Sequence, residues 1–318
     1  MKIDDTFKNV EKEQMPDFFP LFEEKDYQNY FISDKLRRAV QVAILLGKPL
    51  LLTGEPGTGK TQLAGYVASH YLGEEEKLEN RLFRFNTKTT STATDLFYRY
   101  DSLKHFQYAQ SNKEIPDNTH ARFEQLFIKY QALGKAIKSG KRCVVLIDEI
   151  DKAPRDFPND ILDVMEDLSF EVPEIDAIGH NRIKAKSEHR PIVIMTSNSE
   201  KNLPDPFLRR CIFFHIEFPD NEKLKQILKT RTFKTKGKEL DLAVAHFMHI
   251  RNTVKHKKPS TAEFISWMAI LEKTMSFDFK KLENLNNIDN LSKEKLESSY
   301  SIIIKDKEDL KDFSLHRR

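Results

Sequence analysis

The 318-residue chain has little of several things, and each shortage narrows what it can be. It holds two cysteines, Cys143 and Cys211, each inside an apolar run that reads as a strand. That placement excludes a disulfide framework and a thiolate metal site, and it suits core residues in a reducing compartment. No apolar run approaches the roughly 18 residues of a membrane span. The first residues, MKIDDTFKNVEKEQ, are polar and acidic, unlike a signal peptide, so the expected location is the cytoplasm. Charge of one sign is missing too. The 52 basic side chains stand against 49 acidic ones, and a net +3 gives bulk electrostatics no argument for nucleic acid. Tryptophan occurs once and glycine ten times, whereas phenylalanine is plentiful at 23.

With glycine so scarce, a glycine-rich stretch is informative. Leu50-Leu51-Leu52-Thr53-Gly54-Glu55-Pro56-Gly57-Thr58-Gly59-Lys60-Thr61 runs from an apolar strand through a tight turn into a helix-like segment, Gln62 to Tyr71. This is G-x-x-x-x-G-K-[ST] in the strand-then-helix context that gives the pattern meaning. Gly54, Gly57 and Gly59 let consecutive backbone N–H groups turn toward an anion, and the helix dipole favours the same anion. Lys60 is placed to reach the β- and γ-phosphates of a nucleotide, and the Thr61 hydroxyl to ligate magnesium. Residues 54–62, from Gly54 through Glu55, Pro56, Thr58 and Gln62, are the expected nucleotide-binding segment.

Around this stretch, strand and helix patterns alternate, which predicts an α/β fold on a parallel sheet. Ser33 is a candidate N-cap for a helix ending before Pro49, and Leu82–Asn86 alternates like a strand. A polar excursion is expected over about 101–120 and one helix from about His120 to Ser139. Cys143–Ile147 is an unbroken apolar run, as in a strand buried on both faces, and it ends in Asp148-Glu149. A helix is expected over Asp156–Leu168, then a hairpin with arms Phe170–Ile175 and Asn181–Lys186 around Gly179. Ile192–Thr196 and Cys211–Phe218 complete the strands, and from Asp220 onward the pattern is helical. The expected domains are an N-terminal arm (1–26), an α/β nucleotide-binding core (27–219), a helical lid (220–275) and a loosely held, partly helical tail (276–318).

In open α/β sheets ligands lie beyond the carboxyl ends of the strands, so Asp148 and Glu149 are expected to face the phosphate loop. Asp148 would hold magnesium through water, and Glu149 would polarise the attacking water as general base. Asn198, after the next buried strand, could orient that water or the γ-phosphate without adding charge. Arg209 and Arg210, following Asp205-Pro206-Phe207-Leu208, could act on a neighbouring subunit's nucleotide, or could simply complement their own helix dipole.

GEPGTGKT, VVLIDEID, IVIMTSN and LPDPFLRRC, in that order, resemble an AAA+ ATPase of the MoxR-like branch over residues 30 to 272. The resemblance implies a five-stranded parallel sheet sandwiched by helices, followed by a small helical lid. ATP and Mg2+ would bind between the two, in a homo-oligomeric ring that is usually a hexamer. It makes Lys60 and Thr61 the Walker A pair, Asp148 and Glu149 the Walker B pair, and Asn198 the sensor 1 residue. Arg210 is the better match to an arginine finger, with Arg209 the runner-up. Asn86 matches the residue that in many relatives restrains the catalytic glutamate. Insertions at about 95–118 and 170–187 mark the branch. One feature departs from the pattern: the lid segment Lys257–Glu263 contains no arginine, leaving Lys258 as a poor substitute for phosphate contact.

The leading functional expectation is an ATP-hydrolysing, chaperone-like remodeller. Relatives often work with a protein carrying a von Willebrand factor A domain. A nucleic-acid motor or DNA-defence NTPase is the alternative, resting on Arg182, Lys184 and Lys186 in the hairpin but opposed by Glu171, Glu174 and Asp176. A nucleotide-gated scaffold with little turnover is a third reading. No N-K-x-D motif is present, so the residues themselves do not choose ATP over GTP.

Overall fold

Ser33 caps the first helix as its position predicts: its Oγ accepts the Leu36 N–H at 3.3 Å. The structure, a computed structural model, describes residues 27–72, 77–111, 121–175, 182–199, 201–231 and 233–313. The expected N-terminal arm, part of the 101–120 excursion and the hairpin tip at Gly179 lie outside these residues. Helix α1 (Asp34–Leu46) buries Leu36, Val40 and Ala43 and stops at Gly47, which takes the left-handed conformation. Strand β1 (Leu50–Gly54), buried throughout, follows Pro49, and α2 (Lys60–Tyr71) begins after the glycine-rich loop. The chain continues through β2 (Leu82–Asn86), β3 (Tyr98–Tyr100), α3 (Ser102–Gln110), α4 (Ala121–Phe127), β4 (Ile128–Tyr130), α5 (Ala132–Ser139) and β5 (Val144–Asp148). Then come α6 (Phe157–Asp160), α7 (Leu162–Asp167), β6 (Ser169–Phe170), β7 (Ile183–Lys184), β8 (Ile192–Ser197), α8 (Asp205–Arg210) and β9 (Ile212–Ile216).

Five strands form one parallel sheet in the order β2-β5-β8-β1-β9. The three inner strands, β5, β8 and β1, are those whose sequences are nearly unbroken apolar runs, as burial on both faces requires. Leu51, Val145, Ile147, Val193 and Met195 sit in the sheet's largest core, together with Phe85, Leu133, Phe157 and Phe207.

Two of the predicted helices are broken. In place of one helix over 120–139, α4 and α5 flank β4, which pairs antiparallel with β3 (Tyr98↔Tyr130, Tyr100↔Ile128). The apolar spacing survives because both halves are helical. Phe97 overrides it in the middle, its carbonyl accepting the Gln131 N–H at 2.7 Å. That carbonyl also lies so near Gly134 that a Cβ there would come within 2.0 Å of it. The second break splits Asp156–Leu168 into α6 and α7 at Ile161. α6 is only four residues long, and Pro158 stands in its first turn, where its missing N–H costs no intrahelical bond. The hairpin arms do pair, Ser169↔Lys184 and Phe170↔Ile183.

The chain divides into two compact units. The α/β unit comprises Ile32–Gly54 and Lys60–Ile216. The helical unit takes in residues 27–31, Glu55–Gly59 and the chain from Glu217 onward. It contains α9 (Asn221–Lys229), α10 (Lys238–Thr253), α11 (Thr261–Ala269), α12 (Asn290–Ile303) and α13 (Lys307–Asp312). Residues 277–313 are not a loose end there. Phe277, Phe279, Leu282, Leu296, Tyr300, Ile303 and Ile304 are buried in the same core as Phe247, Phe264 and Trp267. The Lys- and Asn-rich composition disguises this, because Leu296, Tyr300 and Ile303 line only one face of α12. No described helix is long and apolar enough to cross a membrane.

That core also contains polar side chains. The Trp267 indole N–H donates to Ser299 Oγ at 2.8 Å, and the His246 Nε2 lies 3.0 Å from the Tyr300 hydroxyl. His246 stacks on both Trp267 and Tyr300. Burial, and secondarily the neighbouring His249, push the His246 imidazole down to about 4. An unfolded histidine titrates near 6.5, so below that pH the unfolded chain binds a proton that the folded chain refuses. The contribution of His246 is therefore complete above pH ~6.5 and is lost as the pH falls toward the folded value. Urea unfolding followed through Trp267, the single tryptophan, should show a loss on the order of 1–2 kcal/mol from this group between pH 7 and 5. His246→Gln should show a correspondingly flatter pH profile. An identical profile for both proteins would contradict the assignment.

Candidate active site

The strand order sets β8 between β5 and β1, so the chain ends of these three strands emerge side by side. Asp148 closes β5, and two hydroxyls converge on its carboxylate. Thr61 Oγ1, from the first turn of α2, donates to it at 3.1 and 3.2 Å from the two oxygens. Thr196 Oγ1, from the buried end of β8, donates to Asp148 Oδ1 and accepts the Glu149 N–H at 2.9 Å. One hydroxyl thus uses its single hydrogen on the carboxylate and a lone pair on the next backbone amide.

Glu149 sits in the left-handed region, φ 55° and ψ 51°, which is uncommon for a residue with a Cβ. Strain of this kind costs roughly 1–3 kcal/mol and persists where the surroundings fix it. Here the Thr196 hydroxyl fixes it by holding the Glu149 N–H. The Glu149 carboxylate meets two side chains: Lys152 Nζ at 2.6 Å and Asn198 Nδ2 at 3.3 Å. Asn198 is itself oriented through its backbone N–H, which donates to the buried Asp151 carboxylate at 3.1 Å.

Lys60 is buried, and its ammonium donates to the Gly54 carbonyl at 2.7 Å, closing the loop on itself. Gly57 (φ 74°) and Gly59 (φ 87°) occupy backbone conformations that other residues resist. Space excludes a side chain as well. A Cβ on Gly57 would lie 2.6 Å from the Ser260 Cβ and Oγ, and one on Gly59 3.1 Å from the Tyr30 ring. The Thr58 hydroxyl donates to the Glu55 carbonyl at 2.8 Å, and the Glu55 carboxylate meets the buried guanidinium of Arg251.

Of the residues singled out in the sequence, Thr61, Asp148, Glu149 and Asn198 are brought into one hydrogen-bonded chain. Asn86 is not. It closes β2 opposite Asp148 in register but is exposed, and among the described residues no hydrogen bond joins it to Glu149. Lys152 and Asn198 make the contacts to that carboxylate instead. Arg210 pairs with Glu166 at 2.9 Å, whereas Arg209 is exposed with no ion pair among the described residues. Lys258 is exposed; the buried cation of that region is Arg251. Thr196, Lys152, Asp151 and Arg251 were not legible as site residues. Thr196 does carry a signal, a polar residue near the end of an apolar strand.

Thr196→Val keeps the shape of the side chain but leaves an amide and a carboxylate short of a partner. Urea unfolding should register a loss of about 1–3 kcal/mol. No change in stability would show that the Thr196 hydroxyl is not what holds Asp148 and Glu149.

Comparison with known proteins bears on this constellation. A search of curated proteins finds no match. Among solved structures, the chain resembles a crystal structure of a candidate ATPase from Cytophaga hutchinsonii. The identity is 13%, over 91% of this chain and 82% of that one, with a TM-score of 0.42, too loose a likeness to carry argument. The family comparison carries more. Residues 50–220, more than half of the chain, match the family described as "ATPase family associated with various cellular activities (AAA)". The match runs from the start of β1 past the end of β9 and takes in Lys60, Thr61, Asp148, Glu149 and Asn198. A five-stranded parallel sheet flanked by helices, with a helical region after it, is the fold of an AAA+ P-loop ATPase. The chain belongs to the AAA ATPase family.

Proposed function

We propose that this protein binds ATP with magnesium at the Gly54–Thr61 loop and hydrolyses it through Asp148, Glu149 and Asn198. The observation that carries this reading is the Asp148 carboxylate, held by Thr61 and Thr196, with Glu149 next to it and Asn198 in contact with Glu149. Lys60 would exchange the Gly54 carbonyl for phosphate oxygens. Thr61 and Asp148 offer the hard oxygen donors that suit Mg2+. Magnesium, when bound, would supply charge neutralisation across the β- and γ-phosphates. Glu149 would take the proton of the attacking water, and Asn198 would orient that water. Lys152 occupies one Glu149 oxygen at 2.6 Å, and the carboxylate keeps further lone pairs for the water.

The MoxR-like resemblance extends the proposal to a ring, a hexamer by analogy, acting as a chaperone-like remodeller. A von Willebrand factor A domain protein and its client would be the partners. Arg210, or Arg209 beside it, would reach the nucleotide of the next subunit. Arg210 must first leave Glu166, while Arg209 has no such bond to break among the described residues. The nucleic-acid alternative is weakened by Arg182, whose Nε donates to Ser169 Oγ at 2.9 Å and whose Nη2 pairs with Asp167 at 2.7 Å. A pure scaffold has no use for Asn198 on Glu149.

Calorimetry and phosphate release separate the roles. Lys60→Ala should abolish ATP binding. Glu149→Gln should bind ATP with near-parental affinity and lose turnover by about 10²-fold or more. Undiminished turnover in Glu149→Gln would remove the base assignment. If Arg209→Ala and Arg210→Ala both hydrolyse normally at concentrations where the protein self-associates, neither residue acts in trans.

A further inference from the structure

We propose that Arg251 is a positioning residue for the phosphate loop: acting through Glu55, it sets the affinity for ATP and ADP alike. The inference rests on the nucleotide reading above and adds a residue that neither the loop motif nor the missing lid arginine indicates. Arg251 stands in the last turn of α10, four residues after Phe247 and on the same buried stripe. Its guanidinium is fixed on three sides. Nη2 bonds Glu55 Oε2 at 2.5 Å, Nη1 donates to the Pro259 carbonyl at 2.5 Å, and Cζ lies 3.4 Å from the centre of the Phe218 ring. An arginine cannot shed its charge, and a buried charge needs a partner. Among the described residues Glu55 is the only carboxylate paired with it.

The asymmetry of this pair gives it direction. The Arg251 side chain is 6% exposed and the Glu55 side chain 51%, so the buried cation anchors a half-exposed side chain of the loop. Ordering Glu55 orders the turn, because the Glu55 carbonyl also accepts the Thr58 hydroxyl at 2.8 Å. The other donor of Arg251 holds Pro259, the residue before Ser260. Ser260 is the N-cap of α11, locked by a reciprocal capping box with Glu263, and it is the residue that presses on Gly57. One guanidinium therefore secures the loop at Glu55 and the surface that supports it at Gly57. A phosphate-binding turn depends on backbone N–H groups already aimed at the anion, and affinity follows from not having to order them on binding. The Arg251 side chain is 6% exposed and its bonds run to Glu55 and Pro259, so the residue serves the loop through Glu55. Loss of the pair should then weaken ATP and ADP equally.

Two measurements on the full chain test this. The first is amide hydrogen exchange at residues 55–59 without nucleotide. The second is calorimetric affinity for ATP and for ADP. Arg251→Ala opens a buried position and Glu55→Ala leaves the buried guanidinium without its carboxylate, so urea unfolding first establishes that each variant is folded under the conditions of both measurements. Each variant should speed exchange in the loop and weaken both nucleotides by about tenfold, the size of one charge-assisted hydrogen bond. The double variant should be no weaker than the worse single one. KM should rise more than kcat falls. Unchanged exchange and affinity in Glu55→Ala would overturn the proposal. So would additive losses, or a loss confined to ATP, which would make Arg251 a γ-phosphate contact instead. If the parent protein binds neither nucleotide, the ATP reading and the claim on affinity fall together. The exchange result still decides whether Arg251 holds the loop.

Discussion

One carboxylate ties the site together. Asp148 ends β5, and the two hydroxyls it accepts come from different elements: Thr61 at the start of α2 and Thr196 at the end of β8. An anion at a strand end has to be satisfied by donors, and here the sheet order supplies them. With β8 between β5 and β1, a threonine on the middle strand reaches the carboxylate from one side. The helix that follows β1 delivers the other threonine. The same threonine on β8 then holds the amide of Glu149 in a backbone conformation it would not choose alone. Thr61, Asp148 and Glu149 are therefore not independent features. They are fixed by a short run of hydrogen bonds that exists only when the five strands are in this order.

The glutamate itself is held at rest. Its carboxylate faces an ammonium and an amide, and both contacts are partly exposed, so each is cheap to exchange for water or substrate. What is costly to move is the backbone beneath it. This division suits a site in which side chains change partners during a cycle while the frame stays put.

Much of this was legible in the sequence, and the exceptions have physical causes. The apolar runs Leu50–Leu52, Val144–Ile147 and Ile192–Met195 announce doubly buried strands. The residues that end those runs announce chemistry, because polar groups at buried strand ends have few other reasons to be there. Short strands were hidden: Ile128–Tyr130 lies inside a helical periodicity, and only its pairing with Tyr98–Tyr100 makes it a strand. The C-terminal helices were hidden by composition, since a one-sided apolar stripe among lysines and asparagines resembles a solvated tail. Asn86 was placed correctly at a strand end, but position in a strand does not say which way an amide reaches. Arg251 was invisible for a different reason. Its partner is 196 residues away in sequence, and nothing local distinguishes a buried arginine from one that reaches for solvent.

In the proposed reaction Thr61 and Asp148 hold the metal side of the site, and Thr196 positions Asp148. Phosphate release from ATP, measured as Mg2+ is titrated into the chelator-treated protein, tests it most directly. Release should rise from zero with Mg2+ in the parent and stay near zero at any Mg2+ concentration in Asp148→Asn. Release that persists without divalent metal, or an Asp148→Asn protein with the parent's Mg2+ response, would contradict it.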